Sequence, residues 1–522
     1  MQEINDKVRE KTKKKVCESK NGKAVDFACC LYYNIYNKRM APKNGPYFYE
    51  LLQICKCVKK DQNMSRFLSS EEQYDRMTKT PIPKLVSSLA LPTTISMLVT
   101  VIYNTADTYF VSQINKSASA AVGMVYTLMA VIQAIGYGLG MGAGSLISRK
   151  LGEKKDSEAD MYATSAFFAA IGFGALVGWG NLLFLEPILR FLKCTDTILP
   201  YASDYARYIL LAAPISCCSF VMNNTLRAEG ESQIAMWGLG IGGLINIFLD
   251  PLFIFTLGMG AGGAALATAI SQCISFAILL AVFLTGKSIV KIRLRSLSHR
   301  LRDYLLIFTT GLPTICRQGL GSLASAVLNV QAVVYGDAAV SAVTIANKLY
   351  VLVRNIIIGI GQGFQPAAGY NYSAGKRKRA WQAFTFSSLL GTAVCVVSAV
   401  ALALFSRPLM QWFCDDAEVV QIGVPTLLYA CAVMPFMAIS TYVNQLYQCL
   451  GFKVPATFLA SCRQGIFFLP AVWLLPAAIG CTGVQMSQPV ADLATFILSI
   501  PFMISFYRKK IQTSDAEFSY NA

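Results

Sequence analysis

The chain repeats itself at a spacing of 221 residues, and nothing else in it constrains the fold as much. Pro92 recurs as Pro313, Ala121 as Ala342, and Gly138 and Gly140 as Gly359 and Gly361. Glu186-Pro187 is matched by Arg407-Pro408, Pro214 by Pro435 and Gly230 by Gly451. Landmarks held at one offset, with differing residues between them, mark a duplicated unit. Each copy carries six apolar runs of roughly 20 residues, long enough to cross a ~30 Å hydrocarbon layer as helices. The runs fall at about 85–111, 120–145, 161–184, 199–222, 233–256, 261–284, 304–334, 339–364, 382–405, 420–444, 454–476 and 482–506. At 54% hydrophobic and 14% charged over 522 residues, the composition is too apolar for a soluble protein. Strands of a membrane barrel would be half as long and would alternate polar with apolar residues. The expected fold is an all-α membrane protein of twelve transmembrane helices in two pseudo-symmetric six-helix bundles. Such a duplication is the usual build of a secondary transporter, with the solute site between the halves.

Charge distribution orients the spans. The loops after the second span (Arg149, Lys150, Lys154, Lys155), the sixth (Lys287, Lys291, Arg293, Arg295, Arg300, Arg302) and the eighth (Lys376 to Arg379) are basic. So is the tail (Arg508, Lys509, Lys510), whereas the alternate loops carry little beyond Lys116, Arg190, Lys193 and Arg407. This asymmetry places both termini in the cytoplasm of a cell (plasma) membrane protein. The net charge of +17 is then mainly topological and implies no nucleic-acid partner. The expected divisions are a basic, disordered extension over 1–76, a first bundle over 77–285, a linker over 286–303, a second bundle over 304–507 and a tail over 508–522. The first 63 residues contain no span and no signal-peptide core. They read as a disordered extension or as an upstream start misassigned ahead of Met64 or Met77, with a lipid-headgroup tether as the functional alternative.

Several chemistries are excluded. The single histidine, His299, lies in the basic linker, so no histidine-centred metal site or catalytic triad can form. Cysteines such as Cys217, Cys218, Cys273, Cys395 and Cys462 sit inside spans, where they act as small apolar residues. Gly286-Lys287-Ser288 resembles the end of a phosphate-binding loop, but Ala281 stands where that loop needs glycine. Gly258, Gly260 and Gly263 fit a dinucleotide pattern but lie in a turn between two spans. No enzyme activity, no resident cofactor and no bound metal are expected, and energy has to come from a gradient of Na+ or H+.

An ion-driven device needs ionisable groups inside the membrane, where they are costly and functional by default. The acids there are Asp107, Asp250 and Asp492. Asp107 lies near the outer end of the first span and Asp250 near that of the fifth, both about 10 Å below the surface. Asn246 precedes Asp250, and Tyr103 precedes Asp107, by one helical turn. Thr268 enters the sixth span at similar depth. Asp107, Asp250, Asn246, Tyr103 and Thr268 are therefore expected to share one chamber of the first half, with no basic residue beside them. Two carboxylates in a low dielectric cannot both stay charged cheaply, so the pair suits proton uptake. Transient Na+ coordination at Asp107, Asn246, Asp250 and Thr268 is the alternative. Pro251 removes a backbone hydrogen bond and loosens the fifth span, and Pro92 does so in the first. Asp492 is expected to pack near a helix start.

These residues carry a resemblance. Leu91-Pro92 followed by Ile102-Tyr103-Asn104-Thr105-Ala106-Asp107 resembles the first helix of the multidrug and toxic compound extrusion (MATE) family. Leu226-Arg227-Ala228-Glu229-Gly230, Asn246 to Pro251, and Gly363-Phe364-Gln365-Pro366 with Gly369-Tyr370-Asn371-Tyr372 are similar to that family too. The resemblance spans about 77–507 and is of the prokaryotic type. It implies two bundles facing each other in a V and export of organic, mostly cationic drugs by Na+ or H+ antiport, and the exporter is expected to be a monomer. It also places the coupling site on Tyr103, Asp107, Asn246, Asp250 and Thr268. Asn104, Lys348, Arg354 and Gln365 are expected on the cavity wall. The bases Arg317, Lys348, Arg354 and Arg463 keep open a flippase of lipid-linked precursors or an exporter of an amphipathic or anionic metabolite. A non-transporting receptor would need a signalling domain that the chain lacks.

Overall fold

The computed structural model describes residues 69–512 apart from Lys193. The readings made for the first 63 residues and for 513–522 lie outside the described residues. An opening helix α1 (Ser70–Lys79) precedes the first bundle: α2 (Ile82–Ser112), α3 (Lys116–Gly152), α4 (Asp156–Leu183), the short α5 (Leu185–Phe191), α6 (Leu199–Glu229), α7 (Ser232–Pro251) and α8 (Gly260–Leu284). The second bundle holds α9 (Leu301–Val333), α10 (Asp337–Ser373), α11 (Arg377–Leu404), the short α12 (Ser406–Phe413), α13 (Ala417–Cys449), α14 (Lys453–Ser461), α15 (Phe468–Ile479) and α16 (Cys481–Phe506). Each of the twelve expected spans is a helix, α14 and α15 forming one span around a π turn at Cys462–Ile466. Among the described residues, eleven spans are long and apolar enough to cross a membrane. The exception is α9, whose inner face carries Arg317, Gln318, Ser322, Ser325 and Asn329 toward a cavity. Large apolar side chains such as Leu183, Leu284, Leu404 and Trp412 stay exposed on the outer faces, as lipid contact requires.

The duplication is visible atom by atom. Asn223 Nδ2 donates to Ala235 O at 2.6 Å, tying α6 to α7. At the repeat offset, Asn444 Nδ2 donates to Ala456 O at 2.6 Å, tying α13 to α14. The two bundles meet along two seams at the end bearing the linker. In the first, a Cβ on Gly311 would lie 2.7 Å from the carbonyl carbon of Gly138, and one on Gly142 would lie 2.8 Å from the Gly311 nitrogen. Backbones of α3 and α9 approach this closely only because no side chain intervenes. The repeat-related seam sets Gly363 of α10 against Ala90 of α2, where a Cβ would meet the alanine methyl at 2.8 Å. Thr93 Oγ1 donates across it to Gly359 O at 2.7 Å.

Helix α1 fastens the same end. Its start is closed by a capping box between Ser69 and Glu72. Gln73 Nε2 donates to Glu229 O at 2.6 Å, and Arg76 pairs with Glu231 at 3.5 Å. From the second bundle, Asn371 Nδ2 reaches Met77 O at 2.9 Å, Lys376 Nζ reaches Thr78 O at 3.1 Å, and Arg379 Nη2 reaches Thr80 O at 2.5 Å. Residues 70–76, expected within a disordered extension, are thus an ordered clasp between the bundles. The linker lies against α4, with Lys291 N donating to Asp160 Oδ1 at 2.7 Å and Ser298 N to Ser165 Oγ at 3.1 Å.

Candidate functional site

Four helices of the first bundle bring a polar cluster together near the end opposite the linker. Asn246 and Asp250 lie one turn apart on α7, so Asn246 Nδ2 donates to Asp250 Oδ1 at 3.0 Å. The same amide donates to Thr268 Oγ1 of α8 at 3.2 Å. On α2, Asp107 accepts from Tyr205 Oη of α6 at 3.1 Å. All five residues are buried, Asp250 completely. Asp107 and Asp250 stand close enough for their charges to interact. Asp107 Oδ1, Asp250 Oδ2 and Asn246 Oδ1 are buried without a hydrogen-bond partner among the described residues. Three uncommitted oxygens around two carboxylates form a hard-oxygen chamber able to hold a proton or a small cation.

Tyr103 is arranged differently from the expectation. Its ring packs over Gly243 of α7, where a Cβ would come within 2.9 Å of Tyr103 Cδ1, and it makes no hydrogen bond to either acid. The phenol on Asp107 comes instead from Tyr205, which no motif marked. Depth could have found it: Tyr205 lies six residues into α6, about 9 Å along the helix from its end. Arg207 shares that depth, against the expectation of no base there, but it is exposed and pairs with neither acid. Pro251 ends the α-helical part of α7, and the chain continues as a π turn over Leu252–Thr256. Helix α2 runs through Pro92 unbroken.

Beyond the seams, on the side away from the linker, a cavity of about 330 Å³ lies between the bundles. The second bundle contributes Arg317, Arg354, Arg463, Asn444 and Gln464, and α3 contributes Tyr126, Thr127 and Gln133. Tyr126 is near enough to Arg354 and to Tyr103 to interact with both, and Tyr103 in turn with Asp107.

Of the expected wall residues, Arg354 lines this cavity and three do not. Lys348 is exposed, because six residues turn an α-helix about 240° and carry it to another face than Arg354. Asn104 is half-buried on α2 and lies outside the cavity lining. Gln365 is buried at the linker end beside Ser145, Ser148 and Arg227. There Arg227 of α6 donates to Gln362 of α10 and, at 3.2 Å, to Ser96 Oγ, a buried tie across the bundles that the sequence reading did not assign. Asp492 sits in the middle of α16, not near a helix start. It pairs with Arg463 Nε at 2.7 Å, accepts from Gln488 Nε2 at 2.9 Å and from the Tyr350 hydroxyl, which in turn accepts from Arg463. A buried acid in hydrocarbon is tolerable when so fully partnered.

The MatE family model matches residues 92–252 and 313–474, one stretch in each bundle. The chain belongs to the MatE family. It is accordingly a multi-pass membrane transporter of the multidrug-efflux kind. Among curated relatives, the multidrug export protein MepA of Staphylococcus aureus (strain MSSA476) is 27% identical over 425 residues, covering 81% of this chain and 93% of that protein. Among solved structures, a MATE in complex with MaL6 superposes with a TM-score of 0.80 at 23% identity, covering 85% of this chain and 99% of the other. An outward-facing multidrug resistance MATE transporter of the MOP superfamily gives 0.79 at 24%, covering 84% and 98%. These likenesses establish the two-bundle fold.

Proposed function

We propose that the protein is a secondary active exporter of small organic compounds, driven by Na+ or H+ bound at Asp107 and Asp250. The observation that carries this reading is the buried cluster of Asp107, Asn246, Asp250 and Thr268, with three oxygens uncommitted to any protein donor. The basic loops support a cytoplasmic position for the linker end. The seams and the α1 clasp then seal the cytoplasmic side, and the conformation described is the one ready to receive the coupling ion from outside. Ion binding neutralises the chamber and alters its hold on Tyr205 and on the neighbouring Tyr103, beyond which Tyr126 lines the cavity. The bundles then rock, the seams part, and the ion is released inward while a new solute enters. Such alternation requires ion and solute to favour different states. A cationic solute, which family resemblance implies, finds its counter-charges in this chamber, whereas the charged side chains of the central cavity are basic.

The test is efflux from proteoliposomes under imposed Na+ or pH gradients, with ethidium and a fluoroquinolone as solutes. D107N and D250N should each abolish gradient-driven movement while keeping the wild-type elution volume in size-exclusion chromatography. Wild-type rates in both variants would overturn the assignment. The gradient that supports transport identifies the ion.

A further inference from the structure

We infer that the central cavity is an organic-anion site, taking a solute with a carboxylate, sulfonate or phosphate head and an aromatic or apolar body. The inference rests on the export reading for its transport consequence but not for binding itself. Arg317, Arg354 and Arg463 converge on the cavity from α9, α10 and the π turn after α14. Their guanidinium charges are close enough to repel one another. Asp492 balances Arg463 at 2.7 Å, and no acidic side chain among the described residues lines the cavity. Asp492 also acts on Arg354 from farther off, but neither Arg317 nor Arg354 has an ion-paired carboxylate among the described residues. Arg317 Nε, Arg317 Nη1 and Arg354 Nε are buried with no hydrogen-bond partner among the described residues.

Guanidinium groups with buried, unbonded nitrogens at membrane depth are costly, and a packed protein has cheaper ways to fill the space. Guanidinium donors come in a fork that matches the two oxygens of a carboxylate or the edge of a phosphate. A bound oxyanion would satisfy the free nitrogens and cancel the mutual repulsion of the two arginines. A cation in the same place would meet like charge and no acceptor stronger than an amide or hydroxyl. The facing wall adds the second half of the specificity. Tyr126 with Thr127 and Ala130 of α3 offers an aromatic and apolar surface for the body of the solute, and Ile358 adds apolar surface one turn from Arg354.

The experiment measures binding and transport separately on the full-length protein. Carboxyfluorescein is the anionic probe, read by fluorescence anisotropy on purified protein. Wild type should bind it saturably, with ethidium failing to displace it. R317Q combined with R354Q should raise Kd at least tenfold, while R317K combined with R354K, which keeps the charge but loses the fork, should fall between wild type and the glutamine variant. Melting temperature and elution volume report whether each variant is folded. Displacement by salicylate identifies a soluble organic anion as the ligand. Displacement by phosphatidylglycerol nanodiscs alone identifies the same chemistry on a lipid headgroup. No saturable binding to wild type, or equal affinity in the glutamine variant, overturns the inference. Binding as described but no gradient-driven movement of the probe or of ethidium sinks the export reading instead.

Discussion

Gly311 sets how tightly the bundles close, and Gly311→Ala should bias the protein toward the state in which the linker end is open. The added methyl carbon would lie 2.7 Å from the Gly138 carbonyl carbon and nearer still to its oxygen. Backbone cannot swing aside as a long side chain would, so α9 has to withdraw from α3 by about an ångström to restore normal contact. Overpacking of this kind costs about 1–3 kcal/mol, and the cost falls only on the closed seam. The closed-to-open ratio should therefore drop by roughly 5- to 150-fold. Spin labels on the linker-end tips of α3 and α10, read by pulsed dipolar spectroscopy in nanodiscs, report the ratio as a shift from a short to a long distance. Transport should slow in parallel, because return to the outward-open state becomes rate-limiting. An unchanged distance distribution in G311A, with transport at the wild-type rate, would refute the claim that this contact gates the linker end.

Three further outcomes follow from the geometry. Breaking the buried Arg463–Asp492 pair with D492A should lower the stability of the purified protein by about 3–5 kcal/mol, and the double variant R463M/D492L should regain much of it, as thermal melting reports. Removing the clasp contacts with N371A/R379A should free α1 and speed tryptic cleavage at Arg76 and Lys79; an unchanged digestion rate would show that these bonds do not hold it. Glu231, just beyond α6, is pushed above its ordinary value of 4.5 by burial, with Arg76 pulling the other way. A raised acid stabilises the fold in its protonated form, so its contribution is present below pH 4.5 and is lost as the pH climbs through the shifted value. E231Q should flatten the fall in melting temperature over that window, and an identical slope in both proteins counts against the assignment.

The spans were legible because crossing hydrocarbon leaves an unmistakable run of apolar residues. Their ends were not. Helices α3 and α10 continue past the expected limits of 145 and 364 to Gly152 and Ser373, carrying polar residues such as Arg149 and Asn371 that no membrane rule selects. The acid chamber could be read from helical phase and depth, which place Asp107 beside Asp250 without any alignment. Tyr205 was missed because phase had been worked out only from the acids outward. The cavity arginines were visible as intramembrane bases, but Lys348 was grouped with them by charge and by its likeness to a basic position in the family's eighth helix, whereas its place on the helix turns it away. Helix α1 was hidden in a basic context, since a ten-residue polar helix has no hydrophobic signature and is held by backbone carbonyls.

The two proposed sites carry opposite electrical sign, acids in the first bundle and arginines without an ion-paired carboxylate in the second. If a cation enters as an organic anion leaves, each turnover moves positive charge inward twice. At an inside-negative potential of 100 mV each elementary charge releases about 2.3 kcal/mol, so the cycle draws about 4.6 kcal/mol from voltage alone. Export should then persist when the ion's concentration gradient is removed but the potential is clamped, and it should appear as an inward current.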